Sequence, residues 1–570
     1  MNQRITSTTR PTLTLSAVSL ALLLAGCGGG GTAGTPVSSL ADSGPGSLRE
    51  VLAAAQDGDT LRFTAQGTVA LTSALTVGKD VTLLTGGVTL DAGGTGRVLE
   101  VAGGATVTVK GGTLTGGVGQ PIEVAATASR ATSQALSQAT WGGIVINRGE
   151  LTLDGTTVTG GRAMNGGGIY NDAGANLTLR NVTLTANEAF IPTPDLENES
   201  TGSGGAIANR GTLTVESGTF RGNTAYSTGG VLRNTGTLTV QDGLFEDNAC
   251  TAPVTAGGSG GCAGGVALLG GSGTSTLRGG TFRDNTATRG GGVLFLSNAN
   301  VTVTVEGGSF EGNRVTGGTD SGGGAVLSLG RLTVGGGTFR GNTALSGGAF
   351  NISGGGTLQL TGGTVEGNTA SEYGGGIGVH NAQGALTLGG TAVVRGNRAG
   401  IAAGGIDVSG ATLTMTGGTV EGNSAGQEGG GITVGNGSVS TISGGVIRGN
   451  DGGERGGGLR VYSSGTVTMT GGEVSGNTAR TGAGLNISAP TTANPGGTFT
   501  LSGGTLSGNT ATNGSGGGIY NGAFLTLEGG SVTGNSSTAP GGGIRNRAGA
   551  SFTRTGGDVS GNTPNDLTSD

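Results

Sequence analysis

Few residues in this chain carry side chains suited to acid–base, nucleophilic or metal chemistry. Among 570 residues there is one histidine, His380, and there are three cysteines, Cys27, Cys250 and Cys262, without a CxxC pair or a Cys/His cluster. Zinc sites are built from several Cys and His ligands, and a cysteine nucleophile needs a neighbouring base. The sequence therefore predicts no metal site, no cofactor and no Cys–His catalytic pair, and it favours a solvated or corner position for His380.

The acidic residues occur singly in most coils, and their spacing argues against sugar-cleaving chemistry. A glycosidase needs two carboxyl groups about 5–9 Å apart, and a lyase needs an acidic calcium site beside a basic residue. Asp91, Asp154 and Asp407 are widely separated, while Asp242 and Asp247 have no Lys or His beside them. We therefore predict no catalytic residues, and a polysaccharide-acting lyase or glycosidase remains the alternative.

The N-terminal residues resemble the signal of a bacterial lipoprotein. Arg4 and Arg10 precede an apolar run at 13–26 that is too short to span a bilayer, and small residues lead into Cys27. In lipoproteins such a cysteine is lipidated and becomes the first residue of the mature chain. The resemblance therefore implies that Cys27 is a lipidation site.

The same resemblance implies how the N-terminal region is organised and where the protein resides. Residues 1–26 would be a signal peptide, and 27–43 would be a flexible Gly-rich tether. The lipid would attach the chain to a membrane of the cell envelope. Gly28 stands where some bacteria place the Asp that retains lipoproteins at the inner membrane, which favours the outer membrane.

The other two cysteines are predicted to form a disulfide. Cys250 and Cys262 flank one insertion, the envelope is an oxidising compartment, and Cys27 would be occupied by lipid. By the chain-entropy argument, closing a loop of this size stabilises the fold by about 3 kcal/mol.

Composition restricts the fold that could position these residues. Glycine accounts for 133 of the 570 residues, 11% are charged and 3% are aromatic. A disordered chain would carry more charge and fewer β-branched residues, and collagen would place Gly at every third position. The net charge of −6 argues against a nucleic-acid partner. What remains is a periodic, Gly-rich repeat fold.

A unit of about 29 residues recurs from about residue 140 onward. It contains Gly-Gly-Gly-Ile, a β-branched run, one apolar residue and a closing x-Gly-Asn. Each unit has three runs that are too short for helices, with Gly or Asn at every corner. The closing residues form a predicted corner column of asparagines: Asn187, Asn223, Asn248, Asn285, Asn313, Asn342, Asn368, Asn397, Asn423, Asn450, Asn477, Asn509, Asn535 and Asn562.

These features predict an all-β chain that folds as a single-stranded, right-handed parallel β-helix over 60–570. Three strands per unit would make one coil. About seventeen coils, stacked about 4.7–4.9 Å apart, would give a rod on the order of 80 Å long. Equivalent inward residues would stack in columns, of which the clearest begins with Phe220, Phe245, Phe282, Phe310 and Phe339 and continues with aliphatic residues.

A short helix is predicted ahead of the first coil, within 44–59. Ser47 and Glu50 have the S-x-x-E spacing of a capping box, and apolar residues such as Leu48 and Val51 recur at helical spacing. This stretch resembles the start of bacterial surface β-helix proteins, in which a short helix covers the open end of the solenoid.

The repeat itself resembles those of the chlamydial polymorphic outer membrane proteins. The resemblance rests on pairs such as Gly204-Gly205-Ala206-Ile207 with Phe220-Arg221-Gly222-Asn223, and it extends over about 140–562. It implies architecture and not activity, since these short motifs are structural corners. Those proteins end in a membrane β-barrel that exports them, whereas eight residues follow Asn562 here, so attachment through Cys27 is expected instead.

Three insertions interrupt the same corner of the repeat, between the closing Asn and the next Gly-Gly-Gly. They cover 118–140, 188–203 and 249–263, and they should project from one side of the rod. Such loops are a usual place for partner binding, although neutral insertion at a tolerant corner is the simpler interpretation.

Charges alternate at the position two residues before successive closing asparagines. Because an inward apolar residue precedes each of them, they should point outward, and neighbouring coils should bring opposite charges about 4.8 Å apart. Each exposed pair would contribute about 0.2–1 kcal/mol, with a further role in fixing the register. The predicted charge ladder is Arg221, Glu246, Arg283, Glu311, Arg340, Glu366, Arg395, Glu421 and Arg448.

A third interpretation of the chain is ice or carbohydrate binding by rows of threonine. Pairs such as Thr412 and Thr414 face one way. However, Arg331, Gln359 and Ala385 break the rows, and Thr is common in strands for its own sake.

Together these patterns predict a lipid-anchored rod of the cell envelope with a structural, adhesive or interaction role and no catalysis. Its expected partners are the membrane, through the lipid at Cys27, and a cell-surface glycan or protein. We expect no nucleic-acid partner, and we expect the rod to be a monomer.

Overall fold

The described part of the chain winds into the predicted right-handed parallel β-helix. The computed structural model describes residues 34–121, 139–192, 201–254, 260–317, 322–492 and 494–570. The chain is all-β, about 1% helical, and makes about 19 turns, so the rod has more coils than the sequence predicted. Coils about 4.7–4.9 Å apart give it a length of about 90 Å. The predicted signal peptide and Cys27 lie outside the described residues.

One coil illustrates how each turn is built. Thr412–Glu421 lies in sheet 1, the preceding Ile406–Ser409 in sheet 2, and Ser424–Ala425 in sheet 3. The sequence also predicted three strands per coil, but it divided the sheet 1 strand into two. Gly418, with a φ of 78°, bends this strand without removing it from its sheet. Sheet 3 was missed because most of its strands have two residues, and so short a strand shows no periodicity.

Among the described residues, sheet 1 contains 31 strands. All of its pairings are parallel, and the inward residues of its strands line the core. In chain order the strands of sheet 1 are Thr35–Val37, Asp59–Phe63, Thr68–Ala70, Val81–Asp91, Thr106–Thr115, Glu150–Asp154, Thr157–Thr159, Asn176–Arg180, Val182–Thr185, Thr212–Val215, Gly218–Arg221, Thr237–Val240, Leu244–Glu246, Thr274–Leu277, Thr281–Arg283, Thr302–Val305, Ser309–Glu311, Arg331–Val334, Thr338–Arg340, Thr357–Leu360, Thr364–Glu366, Ala385–Leu388, Val393–Arg395, Thr412–Glu421, Val439–Arg448, Thr466–Ser475, Thr498–Ser507, Phe524–Leu527, Ser531–Thr533, Ser551–Arg554 and Asp558–Ser560.

In the described part of the chain, sheet 2 contains 18 parallel strands, most of which follow the Gly-rich corner of the repeat. In chain order they are Leu75–Val77, Leu99–Val101, Val145–Asn147, Ile169–Asn171, Ile207–Asn209, Leu232–Asn234, Ala267–Leu269, Leu294–Leu296, Val326–Ser328, Phe350–Ile352, Ile377–His380, Ile406–Ser409, Ile432–Gly435, Leu459–Val461, Leu485–Ile487, Ile519–Asn521, Ile544–Asn546 and Leu567–Ser569.

Sheet 3 follows the closing asparagines and has a ten-stranded and a three-stranded part, which Asp451 bridges. Its strands are Arg162–Ala163, Glu188–Ala189, Thr224–Ala225, Ala249–Cys250, Thr286–Ala287, Arg314–Val315, Thr343–Ser346, Thr369–Tyr373, Arg398–Ala399, Ser424–Ala425, Thr478–Ala479, Thr510–Ala511 and Ser536–Ser537. A separate antiparallel pair, Gln120–Pro121 with Thr140–Trp141, flanks one insertion.

Stacked side chains fill the narrow core. The five phenylalanines of the predicted column, from Phe220 to Phe339, lie with neighbouring ring centroids 4.4–4.7 Å apart and ring planes within 10° of parallel. Phe350 of sheet 2 packs across the end of this stack, tilted by 52° to Phe339. The coil spacing thus brings identical rings to contact distance, so few large side chains suffice for the whole column.

The N-terminal end of the described part differs from the predicted boundaries. Thr35–Val37, inside the predicted tether at 27–43, pairs in register with Leu61–Phe63 because Val37 is fully buried in the core. A helix spans Leu48–Ala54, and the hydroxyl of its N-cap, Ser47, accepts the N–H of Glu50. Its role as a cover for the solenoid stays a prediction. No helix in the part of the chain described here is long and apolar enough to cross a membrane.

Candidate functional site

The predicted asparagine column forms a continuous hydrogen-bonded ladder inside one corner of the rod. From Asn187 to Asn562, each side-chain Nδ2 donates to the Oδ1 of the asparagine in the next coil, at 2.8–3.1 Å. The same Oδ1 accepts a backbone N–H, as when Asn342 donates to Asn368 at 2.9 Å. The second Nδ2 proton goes to a backbone carbonyl, such as that of Phe339 for Asn368. Every polar atom of these buried amides is therefore used.

Asp566 ends this ladder in place of another asparagine. One carboxylate oxygen accepts the backbone N–H of Asn562 at 2.9 Å and its Nδ2 at 2.8 Å. These hydrogen bonds to the charged form hold the pKa of Asp566 below its ordinary value. The carboxylate therefore satisfies the donors that the final asparagine presents to solvent.

The sequence analysis missed a second asparagine column, in sheet 2. The Nδ2 of Asn147 donates to Asn171, that of Asn171 to Asn209, and that of Asn209 to Asn234, at 2.5–2.8 Å. The signal was present in the sequence as Asn two residues after the first apolar residue of each strand. It was overlooked because this column is short and then gives way to other residues, whereas the closing Asn recurs in every later unit.

The predicted charge ladder lies in register along sheet 1. Neighbouring members of the ladder are paired by strand position, always an Arg with a Glu, from Arg221 to Arg448. Ion pairs join Arg221 to Glu246 at 3.5 Å and Arg340 to Glu366 at 3.6 Å. Further ion pairs join Glu246 to Arg283, Glu366 to Arg395, and Glu421 to Arg448.

Two members of the ladder depart from the expectation of uniform, exposed pairing. The carboxylate of Glu311 accepts the hydroxyl of Ser309 at 2.8 Å, and within the described residues it has no ion pair. Glu246 is buried, with a side chain only 9% exposed, because Arg221 and Arg283 fold over it from the coils on either side. The ladder is thus a set of local clusters.

A shallow groove of about 730 Å³ runs beside the C-terminal half of the ladder. It is lined by Glu366, Arg395, Glu421, Arg448 and Ser475, together with the glycine that follows each of them. We call this surface the charged groove.

The glycines that line the charged groove are explained by the backbone conformation at their positions. Gly449 and Gly476 both have a φ of 60°, which is left-handed backbone, and a side chain there would meet no heavy atom within 4 Å. Two earlier coils place Asp247 and Asp284 at this position with the same backbone. The corner therefore needs a residue that tolerates positive φ, and the choice of Gly leaves the surface concave and uncovered.

His380 lies at the end of its sheet 2 strand and is less exposed than the solvated or corner position that the sequence favoured. Its side chain is 19% exposed, and its Nδ1 lies 3.7 Å from a carboxylate oxygen of Asp407 in the next coil. The reason is Gly378: a β-carbon at this position would lie 2.6 Å from the imidazole Nε2. The missing side chain lets the ring fold back over its own strand.

The surroundings of Asp407 form a buried polar cluster on the outward side of sheet 2. Asp407 is 3% exposed and accepts the hydroxyl of Thr433, and burial raises the pKa of its carboxyl while His380 opposes the shift. Arg460, two coils beyond Asp407, pairs with Glu428 at 2.5 Å and lies 4.5 Å from the ring centre of Tyr462. A polymer substrate could not reach a carboxyl so deeply buried.

Cys250 and Cys262 form the disulfide that the sequence predicted for them, with 5.4 Å between their α-carbons. They are buried beside Ala252 and Ala287. Residues 255–259 of the enclosed loop lie outside the described part.

The three insertions leave the rod at one corner. Their flanking residues bridge in a common column on the sheet 2 side, from Trp141 through Asn165, Ser203 and Thr228 to Ala263. The central residues of each insertion are not among those described. In the described part, no group of three or more His, Cys, Asp or Glu residues could hold a metal ion.

No protein family, curated protein or solved structure gives a significant match to this chain. The arrangement of its own residues is therefore the basis for assigning a function.

Proposed function

We propose that this chain is a lipid-anchored rod of the cell envelope with a structural, adhesive or interaction role and no catalysis. The observation that supports the proposal is the continuity of the coil stack. The asparagine ladder links coils without a gap from Asn187 to Asn562, and sheets 1 and 2 continue without a break along the same length. A stack tied in this way would hold a surface at a fixed distance from an attached end.

The charged groove is the surface that we assign to the interaction role. It is concave, and its two Glu and two Arg side chains balance in charge. Such a groove suits an extended polar partner that supplies both donors and acceptors, such as a cell-surface glycan or protein. We favour it over the His380 cluster because its charged side chains reach solvent, whereas Asp407 does not.

Attachment is tested by fractionating cells that express the full chain or its Cys27→Ala variant. We expect the native protein in the membrane fraction and the folded variant in the soluble fraction. If the variant still pellets with membranes after a high-salt wash, lipid at Cys27 is not the anchor.

Surface display is tested by treating intact cells with protease before lysis. Loss of the full-length chain from intact cells, with a periplasmic marker protein preserved, supports an adhesive or interaction role. Protection of the chain would instead place it inside the envelope and favour a structural role. Release of reducing ends from acidic or neutral polysaccharides by the purified protein would overturn the non-catalytic assignment.

A further inference from the structure

The outward face of sheet 1 carries a column of threonines, in which strand pairing places one threonine opposite the next with a single interruption. The register places these residues in one line along the rod: Thr60, Thr82, Thr108, Thr152, Thr178, Thr214, Thr239, Thr276, Thr304, Thr333, Gln359, Thr387, Thr414, Thr441, Thr468, Thr500, Thr526 and Thr553. Gln359 is the single exception.

The register shows that two of the three residues that interrupt the threonine rows in the sequence lie outside the central column. Arg331 and Ala385 pair with Thr302 and Thr412, so they belong to the neighbouring column and not to the central one. Toward the C-terminal end, a third column of hydroxyl residues is added on the other side, as in the runs Thr412–Thr416 and Thr466–Thr470. We call the central column and its two neighbours the threonine face.

The hydroxyl groups of the central column are free of side-chain hydrogen bonds in the part of the chain that the structure describes. Thr441 is exposed, and Thr414 and Thr468 on either side are half-buried. Within the described residues, no side-chain hydrogen bond joins a central-column hydroxyl to the protein. Each position therefore presents one hydroxyl, which can donate and accept, and one methyl group to the solvent.

The geometry of the face is periodic in two directions. Equivalent hydroxyls in neighbouring coils are about 4.7–4.9 Å apart, and threonines two residues apart along a strand are about 6.6 Å apart. Thr side chains have restricted χ1 rotation, and the in-register sheet fixes their backbone. Little freedom would be lost if all of them bound at once, which favours a partner that repeats over the same area.

The charge and composition of the face identify that partner. The central column holds no charged residue, and in the four coils from Thr412 to Ser502 the two neighbouring columns hold none either, so this part of the face complements an uncharged surface, whereas the charged groove complements a charged one. Sugar-binding surfaces use aromatic rings as platforms. On this face the exposed aromatic side chain is Phe524, which lies in a single coil. We propose that the threonine face binds ice, a repeating uncharged lattice of water molecules that can donate to and accept from each hydroxyl.

The test is the partition of the purified full-length protein into a slowly growing ice crystal. The face variant carries T414K, T441K and T468K, in three consecutive coils. The matched control carries T478K, T510K and S536K, also in consecutive coils but on sheet 3. Circular dichroism confirms that each variant keeps its β-structure.

We expect the native protein and the sheet 3 control to enter the ice at several times the level of a non-binding reference protein. The face variant should fall to the reference level. Exclusion of the native protein from ice, or equal behaviour of the two variants, would overturn the proposal. Retention on insoluble cellulose or chitin that the face variant loses, without entry into ice, would also overturn it and assign the face to saccharides.

Discussion

The asparagine ladder gives individual residues a large share in the stability of the rod. Asn368 accepts two hydrogen bonds from Asn342 and donates to Asn397 and to the carbonyl of Phe339, all at 2.9 Å. Replacing it with Ala leaves two buried donors of Asn342 without an acceptor and removes one donor each from Asn397 and from the carbonyl of Phe339. Unpaired buried groups are costly because they lose their hydrogen bonds to water on folding without replacing them.

We therefore expect Asn368→Ala to lower the free energy of unfolding by about 2–4 kcal/mol. The exposed Asn300 provides the control, and Asn300→Ala should change stability by less than about 0.5 kcal/mol. Denaturant unfolding, followed by circular dichroism, measures both variants. Equal stability of the two would mean that the ladder does not stabilise the coils.

Asp566 should make the last coil sensitive to acid. Its pKa is lowered below 3.8 by the donors of Asn562. A carboxyl whose pKa is depressed on folding stabilises the fold above its unfolded pKa, and this contribution is lost as the pH falls through the folded pKa. Asp566→Ala should therefore increase hydrogen exchange in the last coil at neutral pH, and this increase should shrink as the pH falls through the folded pKa of Asp566. Asp566→Asn keeps an acceptor and should remove the pH dependence, so a pH-independent difference for Asp566→Ala would contradict this assignment.

The elements of the fold show which features a single sequence reveals. The inner Phe column, the closing asparagines and the Gly corners could be predicted because each repeats at a nearly constant spacing. The two-residue strands of sheet 3 could not, because they are too short to alternate. The position of His380 could not be predicted either, since it depends on Gly378 beside it and on Asp407 a full coil later.

The glutamates of the charge ladder differ in the number of ion pairs that they make, and the effect of this difference on stability can be tested. Glu366 contacts both Arg340 and Arg395, with its side chain 25% exposed, whereas Glu311 contacts neither of its Arg neighbours within the described residues. Surface ion pairs contribute about 0.2–1 kcal/mol each. Glu366→Gln should therefore lower the melting temperature measurably at low salt, and Glu311→Gln should have little effect.

Charge reversal extends the same test. Glu366→Arg places a third positive charge between two others, so it should lower the melting temperature more than Glu366→Gln does. High salt should narrow this gap, because exposed charges are screened. A gap that persists unchanged in high salt would have a cause other than charge.

At the scale of the whole molecule, alternating charge makes the order of the coils matter. At the corners of Asn313, Asn342 and Asn368, an outward residue and a Gly precede the closing Asn, so a coil can be removed there without changing the corner itself. Deleting 342–367 joins Gly341 to Asn368 and brings Arg340 beside Arg395. Deleting 313–367 joins Gly312 to Asn368 and brings Glu311 beside Arg395, which keeps the alternation.

These two deletions separate the effect of charge order from that of length. The longer deletion removes more of the stacked core, and in repeat proteins stability is close to a sum over repeats and their interfaces. Without an interacting ladder, the protein with the longer deletion should be the less stable, and salt should affect both equally. If the ladder does interact, the shorter deletion replaces an attractive contact between Arg and Glu by a repulsive contact between two Arg side chains, each worth about 0.2–1 kcal/mol.

We therefore expect the stability of the shorter-deletion protein, relative to that of the longer-deletion protein, to rise as NaCl is increased from about 0.02 M to about 0.5 M. Melting curves at both salt concentrations measure this difference, and a difference independent of salt would show that the ladder does not set the order of the coils.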